Sequence, residues 1–257
     1  MPHLPLASAA CSDPADRMPC AVCALGPLCM PRQPGVEAAP VRLTRRRLQR
    51  RDVLFRRGQP FRALYVPRTG FFKTHVIGGD GRSQVVDFQM AGDLLGMDGI
   101  VDGVHQCEAV ALEDAEVCVV EFQDATEMCM RLGEVGMAFQ RTMARELERQ
   151  QRAVFRLRCV GESDHRLARF LMEWSARQRR LGMPAQEFVL RMTREDIGSL
   201  LGLTLETVCR ALTRMKRQGL LEVACRYIAI RQTAALAQLA SGDLPLLREA
   251  APATAPA

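Results

Sequence analysis

The sequence has no long hydrophobic run, only four histidines and none of the compact motifs that mark common catalytic sites. No stretch approaches the roughly 20 apolar residues that a membrane-spanning helix needs, so we expect no membrane partner. The first residues lack a basic start, and prolines break their short apolar run, which argues against a secretory signal. There is no phosphate-binding glycine loop and no Ser, His and Asp set, and the histidines lie without metal-ligand spacing. We therefore expect a cytoplasmic protein that is not an enzyme.

What the sequence does contain is enough apolar material for a globular protein. Its 257 residues are 48% hydrophobic and 25% charged, which allows two modest cores, and its net charge of +6 is weak support for an anionic partner. Ten cysteines would suggest a disulfide framework in a short secreted chain, but this chain is long and Cys129, Cys159 and Cys209 lie in helix-like segments. A reducing compartment fits better. The Pro/Ala-rich residues 241–257 are predicted to be a disordered tail.

Short strands separated by glycine turns predict an all-β unit over residues 42–123, after an N-terminal tail and cysteine loop over residues 1–41. The run Gly78-Gly79-Asp80-Gly81, flanked by alternating or β-branched residues, predicts a β-hairpin. A second hairpin is predicted between CEAVAL and EVCVVEF, with Glu113 and Asp114 at its turn. Such a unit is typical of a small antiparallel barrel or jelly roll.

The spacing of apolar residues changes over residues 124–160, which predicts one long helix. Its apolar stripe is narrow and is flanked by charged residues such as Arg145 and Glu148, as in a parallel coiled coil. A polar residue within the stripe would weaken or tune association. We therefore predict that this helix forms a homodimer, with packing on the β unit as the alternative. The predicted seam comprises Phe139, Met143, Leu147, Gln150, Val154 and Leu157.

Residues 161–240 predict a winged helix-turn-helix domain, in which two helices and a turn precede a short β-hairpin. Thr193 and Asp196 have the spacing of a capping box, Gly202 permits a sharp turn, and Thr204 can cap the second helix. The predicted buried faces comprise Ile197, Leu200 and Leu201 in the first helix and Val208, Ala211, Leu212 and Met215 in the second.

The outer face of the second helix is basic and fits DNA recognition, because such a helix can lie in the major groove with its N-terminal residues at base edges. Glu206 can accept a hydrogen bond from cytosine, and Arg210 can donate two to guanine. Arg214, Lys216 and Arg217 add positive charge, and the last two would meet phosphates together with the hairpin. A dimer presents two such helices, which predicts a palindromic site in double-stranded DNA. The predicted contact residues are Thr204, Glu206, Cys209, Arg210, Thr213 and Arg217.

In the order barrel, long helix and winged helix-turn-helix, the chain resembles the cyclic-AMP-receptor and FNR (CRP/FNR) superfamily of bacterial transcription regulators. The resemblance covers almost the whole chain and is carried by GDLLG at residues 92–96 and by MTREDIGSLLGLTLETVCR. It implies an α+β fold with an N-terminal antiparallel β-roll like that of cyclic-nucleotide-binding domains. The FNR branch reads DNA with the pattern E-x-x-S-R, which Glu206 and Arg210 match while Cys209 replaces the serine. The implied target has TTGAT-type half-sites.

The residues that hold a cyclic nucleotide in other members of this superfamily are not matched here. Those members carry a Gly-Glu pair and an Arg-Ser pair for the ribose and the cyclic phosphate. In this chain the turn reads Gly96-Met97-Asp98, and the phosphate region reads His105-Gln106-Cys107, so no guanidinium is available for the anion. We therefore expect no cyclic nucleotide ligand.

The spacing Cys20-x2-Cys23-x5-Cys29 is similar to the FNR arrangement, in which three N-terminal cysteines and a fourth in the barrel hold a [4Fe-4S] cluster. The resemblance assigns the fourth ligand to Cys118 in AEVCVVEF. It also implies an oxygen switch. Without oxygen the intact cluster favours a dimer that binds DNA, contacts RNA polymerase and controls anaerobic gene expression.

Other chemistries of these cysteines stay open. Structural zinc also takes four thiolates, although usually from two close pairs. A thiol-disulfide switch needs no metal and could include Cys11. Related regulators of the same fold sense haem or nitric oxide, and an iron-sulfur electron carrier is an alternative from a different class. The helix-turn-helix argues against a carrier, which has no use for a helix that fits a DNA groove.

Overall fold

The computed structural model describes residues 23–26, 43–79, 81, 83–131, 133–158 and 163–241. They form two compact units, the first built mainly on strands and the second mainly on helices, and the first also includes Arg191–Leu200. Antiparallel sheets combined with helices confirm the predicted α+β class. None of the helices within these ranges is long and apolar enough to cross a membrane.

Among its described residues, the first unit contains seven strands in two antiparallel sheets. The strands are β1 (Leu43–Leu48), β2 (Val53–Phe55), β3 (Ala63–Thr69), β4 (Phe72–Ile77), β5 (Ser83–Gln89), β6 (Glu108–Ala111) and β7 (Ala115–Glu121). One sheet has the strand order β1-β7-β3 and the other β2-β6-β4-β5. Residues of both sheets, among them Phe55, Phe72 and Val117, pack in one buried core. This arrangement confirms the predicted antiparallel β-roll.

One predicted hairpin is present and the other is wrong. Strands β4 and β5 pair antiparallel on either side of the glycine run, as the sequence predicts. Strands β6 and β7 are consecutive but do not pair: β6 pairs with β2 and β4, and β7 with β1 and β3. The residues between them cross from one sheet to the other, where the Leu112 amide donates to the Phe71 carbonyl at 2.8 Å and the Arg50 amide to Asp114 Oδ1 at 2.9 Å. The Glu113 and Asp114 turn therefore connects two sheets rather than closing a hairpin.

The segment predicted as one helix over residues 124–160 is two helices, α1 (Phe122–Arg131) and α2 (Gly133–Arg158). Helix α1 packs against β3 and β7. Gly136 lets α2 approach the end of α1 closely, because a Cβ atom at this position would lie 2.9 Å from the Cys129 carbonyl oxygen. The apolar periodicity continues across the break between α1 and α2, so the sequence pattern does not reveal the break.

The C-terminal part of the chain has the predicted order of helix, turn, helix and hairpin. Its elements are α3 (Ser163–Arg180), β8 (Glu187–Val189), α4 (Arg194–Leu201), α5 (Leu205–Arg217), β9 (Leu221–Ala224), β10 (Tyr227–Ile230) and α6 (Thr233–Ser241). Helix α3 packs against α5 and α6, and its Trp174 is buried. Strand β8 was not predicted, and it adds a third strand to the hairpin, giving the order β8-β10-β9.

Candidate DNA-binding and cysteine sites

Side-chain caps begin both helices of the helix-turn-helix. Thr193 Oγ1 accepts from the Asp196 amide and Asp196 Oδ2 accepts from the Thr193 amide, each at 3.0 Å, which confirms the predicted capping box. Gly202 in the turn has φ 65°, a left-handed conformation that favours glycine. At the start of α5, Thr204 Oγ1 accepts from the Thr207 amide at 3.1 Å. The short sequence from Thr193 to Thr204 thus sets both ends of α4 and the start of α5.

Helix α5 has the two faces that its sequence predicts. The buried residues are the predicted Val208, Ala211, Leu212 and Met215. On the other face Cys209 is half-buried, and the remaining predicted contact residues, Thr204, Glu206, Arg210, Thr213 and Arg217, are exposed. The six side chains assigned to DNA therefore lie on an accessible surface, and their contacts with DNA stay a prediction.

Glu206 and Arg210, the two predicted base-reading residues, form an ion pair along α5. Arg210 Nη2 lies 2.6 Å from Glu206 Oε1, and the two side chains are 70% and 71% exposed. Solvent screening makes an exposed pair at this spacing worth little stability. The pair therefore holds the two groups side by side on the exposed face. Breaking it so that either group can bind another partner costs little free energy.

Two other basic residues of α5 contact the protein itself. Lys216 Nζ donates to the Val223 carbonyl at 3.1 Å, and Arg214 Nε donates to Asp164 Oδ2 at 2.8 Å. The sequence places Arg214 among the basic residues of this segment, but nothing local identifies its partner. Asp164 lies on another helix, and sequence analysis missed it.

Two of the four predicted cluster ligands, Cys23 and Cys118, lie within the described residues, and both side chains are half-buried. Cys118 lies in β7, opposite Arg45 of β1 and Val66 of β3. Cys20 and Cys29 lie outside the described residues. Both described thiols pack against one apolar cluster, here called the Leu64 cluster, which comprises Leu25, Leu64, Val66, Leu94, Val120, Ala125, Met128 and Val135.

Backbone contacts join residues 23–26 to the β-roll and to α2. The Ala24 amide donates to the Gly92 carbonyl at 2.9 Å, and Thr142 Oγ1 of α2 donates to the Ala24 carbonyl at 3.0 Å. Leu25, which is 1% exposed, anchors the segment in the Leu64 cluster. The segment that carries Cys23 is therefore in direct contact with the long helix.

The donor chemistry of Cys23 and Cys118 fits an iron-sulfur cluster or a zinc ion, since both are held by thiolates. Within the described ranges, no group of three or more His, Cys, Asp or Glu side chains comes together as a metal site. A four-thiolate site that uses Cys23 and Cys118 therefore needs ligands from outside these ranges, as the assignment of Cys20 and Cys29 requires.

Cys107 lies in a different environment from Cys118. It packs against the core between the two sheets, and its Sγ donates to Asp98 Oδ2 at 3.2 Å. Burial, together with the negative charge of Asp98, raises the pKa of the Cys107 thiol far above its usual range. This shift disfavours the thiolate form, which a metal ligand requires.

The loop that would hold a cyclic phosphate is organised around the Asp98 carboxylate. Oδ2 accepts from the Gln106 and Cys107 amides at 2.7 and 3.1 Å, and His105 Nδ1 lies 3.2 Å from Oδ1. Burial opposes ionisation, but hydrogen bonds from His105, Cys107 and Gln106 hold the pKa of Asp98 below its ordinary value. A carboxylate thus occupies these donors, and its charge repels an anion.

The predicted seam of α2 has two kinds of environment. Phe139 and Met143 are half-buried and pack against the Leu64 cluster, whereas Leu147 is 55% exposed and Gln150 is also exposed. The side chains of Val154 and Leu157 lie outside the described part of α2. The first half of the stripe thus contacts the β-roll, which was the alternative, and Leu147 and Gln150 remain accessible to a second subunit.

Two domain models match the chain in the order of its two halves. The cyclic nucleotide-binding domain matches residues 45–132, and the Crp-like helix-turn-helix domain matches residues 165–239. A solved structure, that of FixK2 from Bradyrhizobium japonicum, has the same fold, with a TM-score of 0.69 and 29% sequence identity. The likeness covers 77% of this chain and 96% of that one.

Relatives with known roles match over most of the chain. The transcriptional regulatory protein btr of Bordetella pertussis is 37% identical over 232 residues, covering 87% of this chain and 94% of the relative. The fumarate and nitrate reduction regulatory protein of Escherichia coli is 37% identical over 193 residues, covering 75% and 77%. These relatives are regulators rather than enzymes. The chain therefore belongs to the CRP/FNR family of transcription regulators.

Proposed function

We propose that this chain is an oxygen-responsive regulator of anaerobic gene expression. It holds a [4Fe-4S] cluster through Cys20, Cys23, Cys29 and Cys118 and binds palindromic DNA as a homodimer. The observation that carries the proposal is that Cys23, Cys118 and helix α2 all pack on the Leu64 cluster. The similarity to a fumarate and nitrate reduction regulatory protein supports the same function.

The surroundings of the two described thiols suit an oxygen-sensitive group. When a [4Fe-4S] cluster is bound, the cluster supplies the chemistry that responds to oxygen. Leu25 and Val120 of the Leu64 cluster are almost fully buried, and the thiols pack against this apolar cluster, which limits the access of solvent to that side of the site. Cys118 is fixed by the sheet, whereas Cys23 belongs to a short segment that is held by contacts with Gly92 and Thr142.

The same contacts connect the cysteine site to the predicted dimer seam. Thr142 Oγ1 donates to the Ala24 carbonyl, and Phe139 and Met143 pack against the same Leu64 cluster as the two thiols. A displacement of residues 23–26 would therefore change the contacts on one side of α2. A change of about 2.8 kcal/mol is sufficient to shift a monomer-dimer balance about a hundredfold. Leu147 and Gln150, which are accessible, would then contact α2 of the partner subunit.

Within the dimer, the outer face of each α5 would read one half of a palindrome. Arg210 donates to guanine, Glu206 accepts from cytosine, and Arg217 meets phosphate, as in the E-x-x-S-R pattern for TTGAT-type half-sites. Cys209 occupies the serine position. The DNA-bound dimer contacts RNA polymerase in this proposal.

The proposal includes no cyclic nucleotide, although a cyclic nucleotide-binding domain model matches the β-roll. The ionised Asp98 carboxylate takes the amide donors of Gln106 and Cys107, and no arginine stands at the Cys107 position. A reducing compartment, the cytoplasm, would keep the cysteines available for the cluster.

The test is a pair of matched cysteine variants, Cys118→Ala and Cys107→Ala, purified without oxygen. We expect the wild type and Cys107→Ala to contain iron and sulfide and to show the broad visible absorption of a four-iron cluster, which Cys118→Ala should lack. In the wild type and Cys107→Ala, brief exposure to air should remove the visible absorption and, at the same time, weaken DNA binding.

Other results would favour the alternatives. Zinc in place of iron, or a protein without metal after reconstitution, would overturn the cluster and leave zinc or thiol oxidation as the signal. A cluster that is lost in air without any change in DNA affinity would overturn the switch. An intact cluster in a protein that does not select any DNA site would favour an electron carrier.

A further inference from the structure

A two-pronged ion pair joins the proposed recognition helix α5 to helix α3. Arg214 Nε donates to Asp164 Oδ2 at 2.8 Å, Nη2 contacts Asp164 Oδ1, and the Ser163 hydroxyl oxygen lies 3.4 Å from Nη2. The Asp164 side chain is only 4% exposed, whereas that of Arg214 is 29% exposed. The carboxylate is therefore deep in the domain, and Arg214 reaches inward from α5.

A buried carboxylate requires a charged or hydrogen-bonding partner, and a planar guanidinium that binds it with two bonds fixes its direction as well as its distance. Arg214 follows Arg210 by one helical turn. The pair therefore restrains the rotation and the tilt of α5 close to the residue predicted to read guanine.

Helix α3 also holds the other side of the turn. Arg166 Nη1 donates at 3.3 Å to the carbonyl of Leu201, the last residue of α4. Asp164 and Arg166 lie in the first turn of α3 and so contact the chain both before and after the turn at Gly202. The apolar contacts of Val208, Ala211 and Leu212 bury α5, but apolar contacts are less directional than a bidentate ion pair.

We propose that Arg214 is a positioning residue for DNA recognition, which acts by binding Asp164 and not by contacting DNA. The proposal rests on the assignment of the outer face of α5 to DNA. Asp164 is the informative half of the pair, because a side chain so deeply buried on α3 has no contact with DNA of its own. Its substitution therefore separates positioning from direct contact.

The experiment compares Asp164→Asn and Arg214→Lys with the wild-type chain, on the duplex that the wild type selects from a random pool and on a scrambled duplex. We expect both variants to bind the selected duplex about tenfold more weakly, the cost of one mispositioned base contact. Binding to the scrambled duplex and the dependence of affinity on salt should stay unchanged, because no phosphate contact is lost. Circular dichroism and thermal unfolding establish that each variant is folded at the assay temperature.

A double variant, Asp164→Leu/Arg214→Met, distinguishes positioning from a simple loss of stability. Replacing a buried ion pair by apolar residues of similar size is often neutral for stability, while unbranched methionine gives no fixed direction. We expect the double variant to unfold like the wild type and still to bind the selected duplex about tenfold more weakly. Recovery of both stability and affinity would overturn the proposal.

Two further outcomes would also contradict it. Wild-type affinity in Asp164→Asn would make the pair irrelevant to recognition. A salt dependence that falls by about one phosphate contact per subunit in the double variant, which removes the positive charge of Arg214, would make Arg214 a direct contact. Arg210→Ala is the control for the underlying assignment. If Arg210→Ala keeps specific binding, the assignment of α5 to DNA is wrong. If Arg210→Ala loses specific binding and Asp164→Asn keeps it, only the positioning role is refuted.

Discussion

The helix-turn-helix and the cysteine site differ in how far apart in the chain their residues lie. The caps, the turn glycine and the outer-face residues of the first all fall between Thr193 and Arg217. The proposed cysteine site combines Cys23 of an N-terminal segment with Cys118 of strand β7, and both residues pack against the Leu64 cluster. One site is built mostly from neighbours in sequence, and the other depends on the assembly of the β-roll.

This difference predicts that the two proposed functions are energetically separable. The recognition helix has its own cap and its own buried face, so a change on its outer surface should affect DNA without altering the cysteine site. The cysteine site contacts α2 through Thr142, so changes there should reach DNA only through the dimer. The following substitutions test that separation, from the largest expected effect to the smallest.

Arg210→Ala should abolish sequence-specific DNA binding and leave iron content unchanged. Each bidentate contact to guanine is worth about 1–3 kcal/mol, and a dimer loses two of them. Because the Glu206–Arg210 pair is exposed, its loss should hardly change the thermal unfolding temperature. The measurement is DNA affinity by fluorescence anisotropy, with iron analysis of the same preparation. A fall in iron content would show that the two sites are not separable.

Leu147→Gln should weaken the dimer without direct damage to either site. Full burial of a leucine side chain contributes about 1.5–3 kcal/mol, and two copies face the seam in a dimer. The matched control is Arg141→Gln, an exposed position about 120° around α2 from Leu147. Sedimentation equilibrium without oxygen should show a dimer dissociation constant at least about tenfold higher for Leu147→Gln than for the wild type. The dissociation constant of the control should be unchanged. Equal dimerisation of both variants would exclude the predicted seam.

The residues of the helix-turn-helix could be predicted almost completely because their signals are local. Each of these signals depends on neighbours in the sequence. They are a threonine three residues before an acidic residue, a glycine at a positive φ, and apolar positions three or four residues apart. The same logic fails for strand pairing. β6 and β7 look like a hairpin from their sequence, but their turn crosses between sheets, and only the shared core between the sheets determines that.

Partners that lie far away in sequence explain the other misses. Arg214 is one of several basic residues of α5, and its inward direction follows from Asp164 on α3. In the same way, Cys107 immediately precedes β6 and Cys118 lies in the next strand, β7. The packing of Asp98 beside Cys107 distinguishes their environments. The assignment of Cys118 depended on family resemblance, which uses information that spacing alone does not contain.

Cys209→Ser should have the smallest effect and should strengthen specific binding. A hydroxyl is a good hydrogen-bond donor and acceptor where a thiol is a weak one, and a neutral hydrogen bond contributes about 0.5–1.5 kcal/mol. Cys209 is half-buried on α5 between Glu206 and Arg210, so the substituted oxygen lies where the E-x-x-S-R pattern requires it. Cys225→Ser, in the exposed turn between β9 and β10, is the control and should leave the ratio of specific to non-specific affinity unchanged. Affinity on a TTGAT-type duplex that does not rise in Cys209→Ser would mean that the thiol position makes no base contact, and that Glu206 and Arg210 alone read the half-site.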